Sequence, residues 1–174
     1  MKATGVVRRI DELGRIVIPK ELRKNLRIKE GENIEIYLDD NENIILKKFS
    51  SLKGINDLSN FIVDSINQIT KLNCLIIDRD SVVATSKNLK KEYLNKDISL
   101  FLTKVLSDNK DIKTKFLENV EFINQKKEEA YYIIDLIKQN GDVVGAIIAF
   151  SNEDMEDSIH IVDTFSLFLN KYLE

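Results

Sequence analysis

The amino-acid sequence predicts an α+β protein in two parts: a small β-rich module over residues 1–50 and a larger α/β domain with an antiparallel sheet over 56–174. Three observations carry this. Up to residue 50, short β-branched runs surround one short helix. Ser50-Ser51-Leu52-Lys53-Gly54 then interrupts the pattern, so residues 51–55 read as a linker. Beyond it, apolar residues recur at helical spacing, then as paired strands, then helical again, ending on a helix.

In the first module Val6–Ile10 is strand-like. Asp11-Glu12-Leu13-Gly14 supplies a turn in which Gly14 can take positive φ. Arg15–Ile18 is a second β-branched run, and Pro19 suits the first position of a helix. Over Lys20–Leu26, Leu22 and Leu26 fall one turn apart and are expected to share a buried face. Ile34, Ile36 and Leu38 alternate with Glu35 and Tyr37 as a half-buried strand. The polar turn Asp39–Asn43 leads to the returning run Ile44–Phe49. So few residues bury too little surface to fold readily alone, and two chains sharing one core would solve the problem.

In the larger domain, Ile55, Leu58, Phe61, Ile62, Ile66 and Ile69 predict a helix to about Lys71. Cys74–Ile77 and Val82–Thr85 read as strands across the turn Asp78-Arg79-Asp80-Ser81. Leu94, Ile98, Phe101, Leu102, Val105 and Leu106 suggest a second helix, and 110–127 carries no assignable pattern. Tyr131–Ile137 and Val143–Phe150 are strands around Asn140-Gly141, a strong hairpin signal. Ser151 with Asp154 resembles a capping box before a last helix bearing Met155, Ile159, Val162, Phe165, Leu169 and Leu173. The first and last helices are expected on one face of the sheet.

Net charge is −3, but its distribution is uneven. Residues 1–29 hold nine basic and three acidic groups, a local +6 against −9 for the rest, and five of the six arginines. Such asymmetry points to nucleic acid at one end of the chain. Arginine's planar fork suits bidentate contact with phosphate or guanine, which a merely solvated face does not require. No aromatic residue precedes Tyr37, so base stacking on single strands is not available to this segment.

The stretch from Lys2 to Arg23, with its core Asp11-Glu12-Leu13-Gly14-Arg15-Ile16-Val17-Ile18-Pro19, closely resembles the N-terminal domain of AbrB-like transition-state regulators. Glu35-Ile36-Tyr37 and Ile44–Lys48 continue the match. Ile77–Asp80, Tyr93–Lys96 and Asn140–Asp142 resemble a family member in which that domain precedes a GAF-type domain. The resemblance implies an AbrB-type swapped-hairpin dimer module over 1–50, then a GAF-like domain over 56–174 that pairs dimers into a homotetramer. It also implies a cytoplasmic, nucleoid-associated bacterial regulator, activator and repressor, of sporulation genes late in sporulation of a Gram-positive cell. The family's DNA contacts map onto Arg8, Arg15, Arg23 and Lys24. Lys24 departs from the family's usual arginine, keeping the charge but losing the fork.

Other classes receive little support. Cys74 in an apolar strand reads as a small buried hydrophobe, and His160 as a surface or interface residue. With one histidine and one cysteine the usual zinc sites are excluded, and no phosphate-cradling glycine loop occurs. Neither an enzyme, a metal site nor a cofactor is expected. A lone cysteine fits a reducing compartment, and neither a signal peptide nor a membrane span is read. One alternative is a metabolite-sensing regulator whose GAF-like domain takes an unidentified small-molecule ligand within 86–123. Another is an antitoxin of the same fold, against which the patterned C-terminal half argues.

Overall fold

A computed structural model describes residues 5–28 and 30–174; Lys2, Ala3 and Thr4 of the resembling stretch, and the basic Lys29, lie outside the described residues. The chain divides into two compact units, Met1–Phe49 and Ser50–Glu174.

In the first unit a single helix, α1 (Lys20–Asn25), precedes an antiparallel hairpin of β1 (Ile34–Leu38) and β2 (Ile44–Lys48). Pro19 takes the cap position, one residue earlier than expected, and its carbonyl accepts the Arg23 N–H at 2.9 Å. The other end closes as a Schellman motif. Arg27 adopts φ 54°, its N–H reaches the Lys24 carbonyl at 3.2 Å, and the Ile28 N–H reaches that of Arg23 at 2.7 Å.

Three expectations fail within one chain. Val6–Ile10 and Arg15–Ile18 are not strands, since no ladder joins them to another segment among the described residues. Leu22 is only partly buried and Leu26 is exposed. Ile36 and Leu38 are exposed as well. The physical reason is common to all three: two five-residue strands and a two-turn helix enclose no interior. Among the described residues of this unit only Pro19 is buried.

The second unit is a six-stranded antiparallel sheet between two helical layers. Its strands are β3 (Asn73–Asp78), β4 (Val82–Thr85), β5 (Ile112–Lys113), β6 (Glu118–Ile123), β7 (Lys126–Gln139) and β8 (Asp142–Ser151). The order is β4-β3-β8-β7-β5, with β6 paired to the start of β7. Thus β5, β6 and the first residues of β7 occupy the stretch that the sequence left unassigned. Asn140 and Gly141 both take positive φ, 51° and 86°, in the two-residue loop between β7 and β8.

On one face α3 (Asn56–Thr70) and α6 (Ile159–Leu173) bury Ile62, Val63, Ile66, Val162 and Leu169 against Cys74, Ile76, Ile133 and Ile147, as expected. Phe61 and Ile69, assigned to the same stripe, instead lie exposed, while Ser59 and Val63 turn inward. On the other face α4 (Lys90–Tyr93), α5 (Leu100–Asp108) and β6 enclose an aromatic cluster of Tyr93, Phe122, Tyr132 and Phe150. The helix expected from Leu94 is broken because Asn95 takes φ 61° and Ile98 bridges to Ile123; α5 starts after Ser99, whose Oγ accepts the Leu102 N–H. Ser151 and Asp154 do not form a capping box. Their side chains instead accept the N–H groups of Glu153 and Glu156, and α6 begins only at Ile159.

Residues 51–54 form a helical turn, α2 (Ser51–Gly54), that packs on this unit. Leu52 is fully buried, and Ser51 Oγ donates to Gln139 Oε1 at 2.5 Å. Lys53 Nζ lies 3.0 Å from Asp78 Oδ2. Burial would raise the Asp78 carboxyl, but the N–H groups of Asp80 and Ser81 together with Lys53 hold it below its usual range. Gly145 makes room for this packing. A Cβ there would sit 2.0 Å from the Ile77 carbonyl oxygen and 2.4 Å from Leu52 Cδ1.

Beneath α6 lies a carboxyl pair. Asp135 of β7 is buried, and burial, then the hydrogen bond with Asp163, pushes it up to about 7. Burial would also raise Asp163, but hydrogen bonds from Lys113 (Nζ–Oδ1 2.6 Å) and Asp135 outweigh it and hold it low. Between pH 3.8 and about 7 the folded chain therefore favours a proton on Asp135 that the unfolded chain releases.

Two expected outcomes follow from this packing. Gly145→Ala destabilises the second unit by about 3 kcal/mol in urea titrations of the full chain, because the clash is with backbone. For Asp135, folding stability falls as pH rises between 3.8 and about 7. The slope is at most ~1.4 kcal/mol per pH unit. Asp135→Asn, which mimics the protonated acid, stabilises the fold above pH 7 and flattens that slope; an unchanged slope would show that Asp135 is ionised throughout.

Candidate nucleic-acid interface

The four cationic residues singled out by the sequence lie on two short, well-defined pieces of backbone. Arg23 and Lys24 are consecutive on the last turn of α1, both exposed. The Schellman closure fixes that turn. Its acceptors are the carbonyls of Arg23 and Lys24 themselves, so the backbone beneath both side chains is tied down while the side chains reach solvent. Cations at a helix C-terminus are also favoured by the helix dipole.

Arg8 and Arg15 flank the turn at Asp11. Arg8 is exposed, and its Nη1 donates to the neighbouring Val7 carbonyl at 3.0 Å. The turn is closed by Asp11 N–H to Arg15 carbonyl, 3.1 Å, and Gly14 N–H to Asp11 carbonyl, 3.0 Å, with Gly14 at φ 76°. The Asp11 carboxylate does the rest. Oδ1 accepts the N–H groups of Leu13 (3.0 Å) and Arg15 (2.8 Å), and Oδ2 accepts Arg15 Nε at 2.8 Å. The Arg15 backbone N–H, then its side chain, hold the Asp11 carboxyl below the usual carboxylate range. The Arg15 side chain remains 72% exposed, so this pairing orients it without covering it.

Arg9 and Lys20 are further exposed cations of this unit. The structure sets Arg23 and Lys24 together on one helix end and places Arg15 in the Asp11 turn, with Arg8 three residues before it. Asp11 is the residue that the sequence reading passed over as ordinary turn chemistry. A signal was present: an aspartate opens the five-residue stretch between two apolar runs both at Asp11–Arg15 and at Asp39–Asn43.

Elsewhere the candidates for chemistry are accounted for structurally. Cys74 is wholly buried, and burial pushes its thiol far up. His160 is exposed on α6. Among the described residues no group of three or more His, Cys, Asp or Glu side chains is placed to hold a metal ion. None of the helices described is long and apolar enough to cross a membrane.

Comparison with known proteins agrees with this division. Residues 54–174 match the family model for the stage V sporulation protein T C-terminal, transcription factor, and residues 7–51 that for antidote-toxin recognition MazE, bacterial antitoxin. The chain is 38% identical over 177 residues to stage V sporulation protein T of Bacillus subtilis, covering all of this chain and 99% of that one. A solution structure of the N-terminal DNA recognition domain of the Bacillus subtilis regulator AbrB shares 61% identity over 29% of this chain and 94% of its own, at a TM-score of 0.26. The cofactor-binding GAF domain of the nutrient sensor CodY from Clostridium difficile matches 66% of this chain and 83% of its own at TM-score 0.50 and 15% identity, a likeness of fold. An AbrB-like N-terminal module joined to a GAF-like domain, with identity along the full length, places this chain in the stage V sporulation protein T family of DNA-binding transcription regulators.

Proposed function

We propose that two copies of the N-terminal module, residues 1–50, interlock as a swapped-hairpin dimer and offer Arg8, Arg15, Arg23 and Lys24 of each copy to duplex DNA. The GAF-like domain, 56–174, with the α2 turn packed on it, joins such dimers into a tetramer. In this arrangement the protein regulates sporulation genes, as activator or repressor according to promoter position, and works on the bacterial nucleoid.

The observation that carries this reading is the apolar surface of the first unit. Val7 is 86% exposed, Leu38 74% and Val17 72%, with Ile10, Leu13, Ile16, Leu26 and Ile36 also open. Surface of this kind marks an interface. A second copy would cover these side chains and supply partners for the unpaired runs 6–10 and 15–18, while doubling the cationic residues about a two-fold axis. On the second unit Phe61 and Ile69 of α3 and Leu167, Phe168 and Tyr172 of α6 are exposed on the helical layer, which supports pairing of dimers there.

The metabolite-sensing alternative has less support. The space between sheet and helices, where GAF-type folds take ligands, is occupied by Tyr93, Phe122, Tyr132 and Phe150, all buried and in ring contact. An antitoxin role draws on the N-terminal match alone, and residues 50–174 are here a folded unit.

If most of eight cations in the dimer meet phosphates, log K falls with log salt at a slope of roughly −5 to −7. Arg15→Ala makes that slope shallower by one to two and empties genomic sites in a genome-wide binding experiment; a nearly salt-independent affinity would refute the DNA face. Assembly is read separately by light scattering. The double variant Phe61→Ser, Phe168→Ser is expected to give a dimer that retains DNA binding to a single site, whereas an unchanged tetramer would exclude this helical face.

A further inference from the structure

The chain contains the same five-residue turn twice. At Asp39–Asn43 the closing bonds are Asp39 N–H to Asn43 carbonyl, 3.1 Å, and Glu42 N–H to Asp39 carbonyl, 3.0 Å. Asp39 Oδ1 accepts the N–H groups of Asn41 and Asn43, both at 2.9 Å, and Oδ2 accepts Asn43 Nδ2 at 2.9 Å. Each bond has its counterpart at Asp11–Arg15, with Gly14 and Glu42 in the same left-handed conformation, φ 76° and 59°. The side-chain hydrogen bond from Asn43, then its backbone N–H, hold Asp39 below its usual range, as Arg15 does for Asp11.

The two turns differ in what the last residue leaves over. At position 43 a short, neutral asparagine amide closes the turn by giving one N–H to Asp39 Oδ2, and it carries no charge beyond it. At position 15 the same acceptor takes the Nε of a guanidinium, which leaves the two terminal nitrogens, the other edge of the fork, on a side chain that is 72% exposed. The second turn therefore shows that closing such a loop requires no arginine. The guanidinium is surplus to the fold.

We infer that Asp11 is a positioning residue for DNA recognition: its carboxylate locks the Nε edge of Arg15 so that the terminal fork is presented to a base edge or phosphate in one orientation. This rests on the DNA-facing role proposed above for Arg15. An orientable fork is what bidentate recognition requires, and a freely rotating arginine has to lose that freedom on binding. Asp11 itself carries a negative charge towards the duplex, which disfavours every DNA sequence alike. Its two effects thus have opposite signs, and this makes the role measurable.

The test uses the full chain, the tightest duplex selected from a randomised pool, and a scrambled duplex of the same length. Asp11→Asn keeps an acceptor for the Leu13 and Arg15 backbone N–H groups but sets an amide N–H against Arg15 Nε. It is expected to bind the scrambled duplex a few-fold more tightly and the selected duplex more weakly, cutting the specificity ratio by roughly tenfold. Arg15→Asn recreates the chemistry of the second turn, so it removes the fork while preserving the loop; in that background Asp11→Asn no longer changes the ratio. Equal strengthening of both duplexes would mean that Asp11 acts by charge alone, and equal weakening with a lowered melting temperature would mean that it acts only on the fold; either overturns the inference. If Arg15→Asn leaves the ratio intact, the DNA-facing role of Arg15 itself is wrong, a separate failure. Should Asp11→Asn not fold, the Arg15 Nε–H resonance of the unaltered chain decides. It should shift as Asp11 is protonated in acid, and indifference to that titration would refute the lock.

Discussion

Shortage of interior in the first forty-nine residues is the constraint from which most of this structure follows. A module with two five-residue strands and a six-residue helix cannot bury its own Val, Ile and Leu side chains, and only Pro19 is buried among its described residues. Apolar burial contributes about 25 cal/mol per Å², so side chains left in water contribute little to stability. What order the single chain has comes from local hydrogen bonds: the Asp11 and Asp39 turns, the β1–β2 ladder and the Schellman end of α1. In the proposed dimer a second copy supplies the missing interior. Because the same exposed runs bracket the arginines, completing the core and assembling the DNA face become one event.

Local hydrogen bonding of this kind suits a binding surface. Arg15, Arg23 and Lys24 project from backbone that a turn or a helix cap fixes, not packing against a distant element, and Arg8 precedes the Asp11 turn by three residues. A phosphate backbone tolerates small displacements, whereas base recognition does not. Among these residues Arg15 alone has its side chain held by a carboxylate, and Lys24 has no fork to hold.

The second unit is built on the opposite principle. Its sheet is covered on both faces, and its polar groups are spent on tying elements together: Lys53 to Asp78 beside α2, and Lys113, Asp135 and Asp163 beneath α6. The connection between modules is therefore not a loose tether at its C-terminal end. Leu52 is anchored over Gly145, where even a methyl group has no space. The exposed aromatic side chains of α6, Phe168 and Tyr172, lie on the helix that covers the Asp135 carboxyl, so the proposed pairing face and that carboxyl share one element.

Sequence alone determined the α+β class, the hairpin at Asn140-Gly141, the two helices sharing one face, the family and the cationic residues, because each is written in local spacing or residue type. It misplaced what depends on partners distant in the chain. Val6–Ile10 and Arg15–Ile18 have strand-like composition, yet a strand exists only where a ladder partner does, and the described residues of the single chain offer none. The helix expected from Leu94 lost its first residues to the Ile98–Ile123 bridge, a pairing across twenty-five positions that no periodicity records. Strands β5 and β6 are short or edge-like, and their charged residues hide the alternation; the long β7 beside them draws them into the sheet. Asp11 shows the division most clearly. Its place in a turn could be read from the residues, but only the folded geometry brings Oδ2 to the Nε edge of Arg15 and turns a loop residue into a support for recognition.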